Sequence, residues 1–465
     1  MNTTKHAECL TVRDGNLYID GCNATELGQK FGTPLFVLSE SQLRTNLRNI
    51  RSAFEQHWPE GKVRIMPAIK ACPVTAVRRV LTEEGSGCDV FGPAELEGAI
   101  RGGVTAENIS VNGSIKDDAL IRRAITLGTR IVLDSRKDFK LCEQIASELG
   151  KEVRVLFRLK PYIADLEEMS DFLPSHEIRE MTQTVKYGIP SSDLETLIPA
   201  VKASLHVKPV GVHIHMGRHS KKLAVWQALV SAYVALIKRI SDGLDGWVPQ
   251  EVDFGGGIAA AHDRETRVAV TNYPTPSLDE YATAITGEFR DAMSRVGLST
   301  ADITIEVEPG RALHNEAGIH LTTVRGLKQE HESIARRWAE VDTSEVFLGI
   351  VGLPTDTPPF DFIVANKADC KPAITTDVVG CTCNGEWLCT QVPTPVLEEG
   401  DVIAFLNTGS YIEPMAANFN ALPRPGIALV NGENAAMIKR HETIDEVYAR
   451  DLIPGWISSG NDLQK

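Results

Sequence analysis

Several side chains in this 465-residue chain have types and spacing that could do chemistry together. Lys70 ends a short apolar run, and a lysine held in an enclosed mouth can lose its proton and form an imine with an aldehyde. Asp89 lies within the next run. His213 and His215 end a later one, and a flat imidazole can stack on a planar ring. Gly255-Gly-Gly257 follows Val252-Asp-Phe254 and would expose backbone N–H groups to a phosphate. Glu308-Pro-Gly-Arg311 adds a carboxylate able to hold a pyridine nitrogen protonated and a guanidinium able to grip the same anion with two hydrogen bonds. Taken singly, each reading is weak: a strand-end lysine is usually a solvated charge, a buried histidine a satisfied core residue, a triple glycine a tight turn. Taken together they describe one ligand that has a phosphate, an aldehyde and a pyridine, which is pyridoxal phosphate.

These residues need elements that bring them to one place. From about residue 64 a short apolar run followed by an amphipathic segment recurs, the pattern of β/α units around a parallel sheet. Strands are expected over 63–70, 88–91, 109–112, 130–134, 153–159, 210–215, 252–254 and 303–307, with helices between, for example over 74–84 and 94–101. An eightfold count without a Gly-x-Gly-x-x-Gly turn after the first strand favours a (β/α)8 TIM barrel over an open doubly wound sheet. In a barrel the candidate residues fall at the C-terminal strand ends, where catalytic groups collect. After about residue 315 the pattern becomes β-rich, over 318–326, 345–351, 401–406 and 426–430, and predicts a second, mainly β domain. The segment 10–19 reads as a hairpin joined to it. The expected division is 30–315 for the barrel and 1–29 plus 316–465 for the β domain.

Composition narrows the function classes. Lys+Arg 48 against Asp+Glu 62 gives a net charge of −14, which works against non-specific binding to nucleic acid or anionic membranes. Nine cysteines, an odd number with no secretory pattern ahead of them, argue for reduced thiols and a cytoplasmic setting rather than a disulfide framework. Cys381-Thr-Cys383 with Cys389 has no second Cys or His pair at zinc-ribbon spacing, so no metal site is expected. The most apolar helix, read as 223–237 and interrupted by Gln227 and Ser231, is too short for a membrane span. A soluble protein is expected.

Pro67-Ala-Ile-Lys-Ala71, Cys88-Asp-Val-Phe-Gly-Pro-Ala-Glu-Leu96, Val212-His-Ile-His-Met-Gly217, Asp253-Phe-Gly-Gly-Gly257, Glu308-Pro-Gly-Arg311, Cys383-Asn-Gly385 and the run from Gly409 to Pro425 occur in order. Over roughly residues 30 to 452 the chain resembles the fold-type III pyridoxal-phosphate decarboxylases (alanine racemase-like barrels), and within them the diaminopimelate decarboxylase branch. The resemblance implies a carboxy-lyase that uses pyridoxal 5'-phosphate on an amino acid. It implies that Lys70 carries the cofactor as a Schiff base, that His215 stacks on its ring, and that Glu308 faces the pyridine nitrogen. Gly255, Gly256, Gly257, Gly310, Arg311 and Tyr411 match the phosphate-binding set, and Asp89 and Glu95 match acidic residues that support the lysine and ring. Cys383 is similar to the cysteine that reaches across a dimer interface and protonates the substrate carbon, so a homodimer with active sites at the interface is implied.

The chain departs from that branch where the substrate's far end would bind. An Arg-Pro-Ala-Leu-Tyr run that usually holds a distal carboxylate is matched here by Asp356-Thr-Pro-Pro-Phe-Asp361, and the acidic residue after the cysteine is Asn384. Asp361 and Asn384 are therefore the substrate-binding candidates, and a modified or non-standard amino acid is the expected substrate. Arg218 stands where a serine of the phosphate site is usual. Amino-acid racemisation is the rival activity, but racemases of this fold carry arginine where Glu308 stands. A non-catalytic regulatory relative is the rival class, against which Lys70, Glu308, Arg311 and Cys383 all argue.

Overall fold

The structure, a computed structural model, describes residues 7–163, 185–215, 221–260, 274–349 and 360–457. The chain opens with a three-stranded antiparallel sheet of β1 (Leu10–Arg13), β2 (Asn16–Ile19) and β3 (Cys22–Asn23). Asn23 caps α1 (Ala24–Phe31) by accepting the Thr25 N–H, and β4 (Leu35–Ser39) follows. Ser39 then caps α2 (Glu40–His57), a contact worth about 1 kcal/mol. Leu43, Leu47, Ile50 and Phe54 recur along α2 at the spacing of one helical face and are buried.

Eight parallel strands form the barrel: β5 (Val63–Ile65), β6 (Cys88–Val90), β7 (Ile109–Val111), β8 (Arg130–Leu133), β9 (Val153–Arg158), β10 (Val207–His213), β11 (Glu251–Asp253) and β12 (Thr304–Val307). They coincide with the eight runs read from the sequence, with ends shifted by a few residues. The sheet is continuous from β6 round to β5 through β12. The remaining seam closes where Gly87 N–H meets Ile65 O at 2.9 Å and Asp89 N–H meets Pro67 O at 3.3 Å. Outside lie α3 (Thr75–Glu83), α4 (Pro93–Arg101), α5 (Asp118–Leu127), α6 (Arg136–Leu149), α7 (Ser191–Ala203), α8 (Leu223–Gly243) and α9 (Leu278–Arg295). Only the one-turn α10 (Arg311–His314) follows β12. The open place in the ring is taken from the N-terminal side by α2, which packs against α3 and α9.

Helix α8 is longer than the sequence reading allowed. It runs 21 residues at a mean hydropathy of 1.4, enough by length and composition to cross a membrane. Here it packs against α7 and α9 with Trp226, Tyr233 and Ile237 fully buried. The barrel interior also holds an unexpected ionic layer toward the N-terminal strand ends. Arg130 on β8 donates to Glu251 on β11 at 2.7 Å and to Glu306 on β12 at 2.5 Å, and Arg64 on β5 pairs with Glu306.

The second domain contains β13 (Gly318–Glu330), β14 (Arg336–Val341), α11 (Glu345–Leu348), β15 (Phe362–Val364), β16 (Ile374–Val379), β17 (Trp387–Thr394), β18 (Val402–Phe405), β19 (Gly426–Asn431), β20 (Asn434–Lys439) and α12 (Ile444–Val447). Two expectations are corrected here. Leu35–Ser39, placed in the barrel part by the reading of the sequence, is the strand β4 inserted between β13 and β19. The stretch from Glu345 is not β: Ser344 caps α11 through the Val346 N–H, and Gly349 ends it in the left-handed conformation. The 10–19 hairpin does form. It stays in its own sheet, and its Leu17 and Ile19 join the core made by Leu35, Val37, Leu321, Ala404 and Val430.

Candidate active site

The C-terminal ends of the barrel strands converge on a cavity of about 170 Å³ lined by Lys70, Asp89, Phe91, Asn112, Arg158, Tyr187, His213, His215 and Glu308. Most of them arrive by the same device, a strand that ends and turns outward. Lys70 sits in a single 3-10 turn after β5, Asp89 is in β6, and Asn112 follows β7. Arg158 and His213 are the last residues of β9 and β10, and Glu308 follows β12. Of the sequence candidates, Lys70, Asp89, His213, His215 and Glu308 line this cavity together.

Burial and charge decide how these groups behave. Burial by itself would favour a neutral Lys70, but Asp89, Tyr411, Glu308 and Glu95 together hold its amine above the ordinary lysine value. Burial and then the Asp89 carboxylate push Glu308 well above the usual range, against Lys70 and Arg158, which favour its ionised form. Burial, then Lys70 and Arg158, drive His215 far below the ordinary imidazole value, so a neutral ring faces the cavity. Its Nδ1 accepts the Gly256 N–H at 3.0 Å, which fixes the ring plane. Glu95, at the start of α4, accepts the Phe91 N–H at 2.6 Å, and burial raises its carboxyl.

The glycine turn and Tyr411 flank the cavity. Asp253 accepts the Gly255 N–H at 2.7 Å, and Glu308 N–H donates to Gly255 O at 2.9 Å. Gly255 has φ 67°, and a Cβ there would lie 2.2 Å from Ile214 O, so no other residue fits. Gly310 lies against Tyr411, whose backbone N–H donates to Ala71 O at 2.9 Å beside the Lys70 turn. The Arg311 guanidinium sits 5.1 Å from the Tyr411 ring centre. An amine, a carboxylate, a neutral imidazole face and a glycine cradle with an arginine beside it fit an aldehyde, a ring nitrogen, a ring face and a phosphate respectively.

Cys383, Asn384 and Asp361 do not line this cavity. Cys383 is exposed between β16 and β17 with Sγ 3.3 Å from Asn420 Oδ1. Asn384 donates to Glu345, and Asp361 is exposed just before β15. Arg218 and Asp356, with most of the 352–362 segment, lie outside the described residues. Asn112, Arg158 and Tyr187 line the cavity without having been singled out as site residues. The signal that could have found Asn112 and Arg158 is the one that found Lys70, a polar residue closing an apolar run.

Residues 40–315 match the family described as the pyridoxal-dependent decarboxylase, pyridoxal binding domain. The diaminopimelate decarboxylase of Methanothermobacter thermautotrophicus is 29% identical over 447 residues, 95% of this chain and 96% of the relative. That of Archaeoglobus fulgidus is 29% identical, over 96% of this chain and 99% of the relative. The crystal structure of diaminopimelate decarboxylase from M. jannaschii superposes with a TM-score of 0.86 at 25% identity, covering 97% of this chain and 99% of that one. With its matching domain spanning more than half of the sequence, the chain belongs to the pyridoxal-dependent decarboxylases and is a carboxy-lyase that works with pyridoxal 5'-phosphate.

Proposed function

We propose that the enzyme removes the α-carboxyl of an amino acid in the cavity ringed by Lys70, His215 and Glu308, as one of two identical subunits. The observation that carries this reading is the convergence of those three side chains with the Gly255–Gly257 turn at one end of the barrel. Bound pyridoxal phosphate supplies an aldehyde for the substrate amine and a ring that takes up the electrons released when the carboxyl leaves. Lys70 would hold the cofactor through Nζ and yield that place to the substrate. Glu308 would face the ring nitrogen and keep a proton on it, and the neutral His215 would stack on the ring without adding a positive charge. Gly255, Gly256, Gly257, Gly310, Arg311 and Tyr411 would hold the phosphate, while Asp89 and Glu95 support Lys70 electrostatically.

Cys383 would give the returning proton to the substrate carbon from a second copy of the chain. Its exposure, its absence from the cavity lining and the exposed Met415 and Phe419 in the neighbouring stretch support a subunit contact there. Asn384 and Asp361 would then meet the substrate's side chain. Nine free thiols fit a reducing, cytoplasmic setting. Without an arginine in 356–361, a substrate whose far end carries an amine or a neutral group fits better than one ending in a carboxylate. Carbon dioxide release is measured over lysine, ornithine, arginine, glutamate and both diaminopimelate stereoisomers. Release from an amine-ended substrate, or from none of these, agrees with the expected pocket; efficient release from a diaminopimelate isomer would refute the substrate assignment while leaving the decarboxylase intact.

A further inference from the structure

We infer that Asn112 is a positioning residue for Lys70 that acts through Asp89, its side-chain amide holding the Asp89 carboxylate in the cavity wall; this rests on the reading that Lys70 carries the cofactor and that Asp89 supports it.

The strand ends put these side chains together. Asp89 in β6 is paired in register with Ser110 in β7, and it also bridges Ala68, two residues before Lys70. Asn112 lies two residues beyond Ser110 and so keeps to the same side of the sheet. Its backbone N–H donates to Val90 O at 2.7 Å, which ties the end of β7 to β6. Asn112 and Asp89 are both buried, and both line the cavity.

The amide has one orientation that suits its surroundings. Nδ2 lies 3.1 Å from Asp89 Oδ1, 3.2 Å from His213 Nε2 and 3.5 Å from Glu308 Oε1. Burial and then the Arg158 charge push His213 down to about 3, so its ring is neutral and Nε2 accepts from the amide. On the other side Asn112 Oδ1 accepts from Arg158 Nη1 at 3.4 Å. Turned over, the amide would set its oxygen against two carboxylates and its N–H groups against a guanidinium. Asn112 therefore gives one hydrogen to Asp89 and the other to His213, with Glu308 at the edge of reach. Among the described residues the Asp89 carboxylate takes no other hydrogen bond, so without the amide it is a buried charge with no donor to hold it.

The consequence falls on Lys70. Around its amine stand Asp89 in β6, Glu95 on α4, Glu308 after β12, Tyr411 from the β domain and the neutral His215 after β10. Burial by itself favours the uncharged amine, and Asp89 is the strongest of the groups that oppose it, ahead of Tyr411, Glu308 and Glu95. Positive charge on the lysine nitrogen thus depends most on a carboxylate anchored by Asn112. When the cofactor is joined to that nitrogen its visible absorbance changes as the nitrogen loses its proton, so the alkaline midpoint of the spectrum reads the field at Lys70.

The test is a double-mutant cycle in the holoenzyme. Asn112→Leu, Asp89→Asn and the pair are compared by titrating the visible absorbance of the bound cofactor against pH, with melting curves to confirm folding. Leucine has about the shape of asparagine and no hydrogen to give. Asn112→Leu is expected to lower the alkaline midpoint by about one pH unit, Asp89→Asn to lower it by at least as much, and the pair to match Asp89→Asn alone. Asn112→Ala, which leaves room for water, repeats the comparison if leucine prevents folding. A midpoint that stays in place in Asn112→Leu but falls in Asp89→Asn overturns the role of Asn112. An equal further shift on adding Asn112→Leu to Asp89→Asn overturns it too, since the effect then runs through Glu308 or Arg158. If Asp89→Asn itself leaves the midpoint in place, the electrostatic role of Asp89 has failed and takes the role of Asn112 with it. Lys70→Ala, in which the titrating band should vanish, separates both from a failure of the Lys70 assignment.

Discussion

A Cβ on Gly310 would lie 2.3 Å from the Tyr411 hydroxyl. Gly310 has φ −105°, which any residue can adopt, so the cost of Gly310→Ala falls on the neighbour rather than on the backbone. Tyr411 is tethered at its own backbone to Ala71 and cannot retreat without moving its ring. Gly310→Ala should weaken pyridoxal phosphate binding about tenfold, or about 1.4 kcal/mol, with little change in melting temperature. Titration of the cofactor-free enzyme followed by a melt separates this from general destabilisation; unchanged affinity would remove Gly310 and Tyr411 from the phosphate site. At this scale the sequence was most informative where chemistry restricts residue type. Lys70, His215, Glu308 and the glycine turn stand out because each breaks an apolar run in a way a core does not need. Arg130, Glu251 and Glu306 break such runs too, yet they face one another inside the barrel. Only three-dimensional pairing separates these ionic residues from the catalytic candidates.

Among the elements, the strands read well because parallel strands buried on both faces are short apolar blocks bounded by turns. β4 escaped that reading because its partners β13 and β19 lie hundreds of residues away, and nothing local says which sheet a buried block joins. α11 was misread for the opposite reason: a four-residue helix with three apolar residues carries no period, and its Ser344 cap and left-handed Gly349 decide in favour of a helical turn. Loops at the strand ends are held by a buried pair. Lys116, before α5, donates to Asp138 of α6 at 2.8 Å, and Asp138 also accepts the Asp134 N–H at 2.9 Å. Asp134 in turn accepts the Gly188 N–H at 2.9 Å and lies 3.7 Å from Arg158 in the cavity wall. Lys116→Met would strand a buried carboxylate and should destabilise the fold by about 3 kcal/mol in urea unfolding. A loss below about 1 kcal/mol would mean that the pair contributes little to holding this wall.

For the whole molecule, the barrel and the β domain share one architecture because the N-terminal segment belongs to both, β4 in the β domain and α2 in the helix ring. If Cys383 serves the second subunit's cavity, Lys70→Ala and Cys383→Ala homodimers should each be inactive. Dissociated and reassembled together in equal amounts, they should recover about a quarter of wild-type activity, since half the dimers are mixed and each of those has one intact site. No recovery, with mixed dimers demonstrated, would place Cys383 in its own subunit's site, and an active Cys383→Ala homodimer would place it outside the reaction. The measurement that bears most directly on the central claim is borohydride reduction of the enzyme loaded with pyridoxal phosphate, followed by peptide mass analysis. The account predicts the cofactor's added mass on the peptide that contains Lys70 and its disappearance in Lys70→Ala. Stable mass on a different lysine, or none in an enzyme that still releases carbon dioxide, would contradict it.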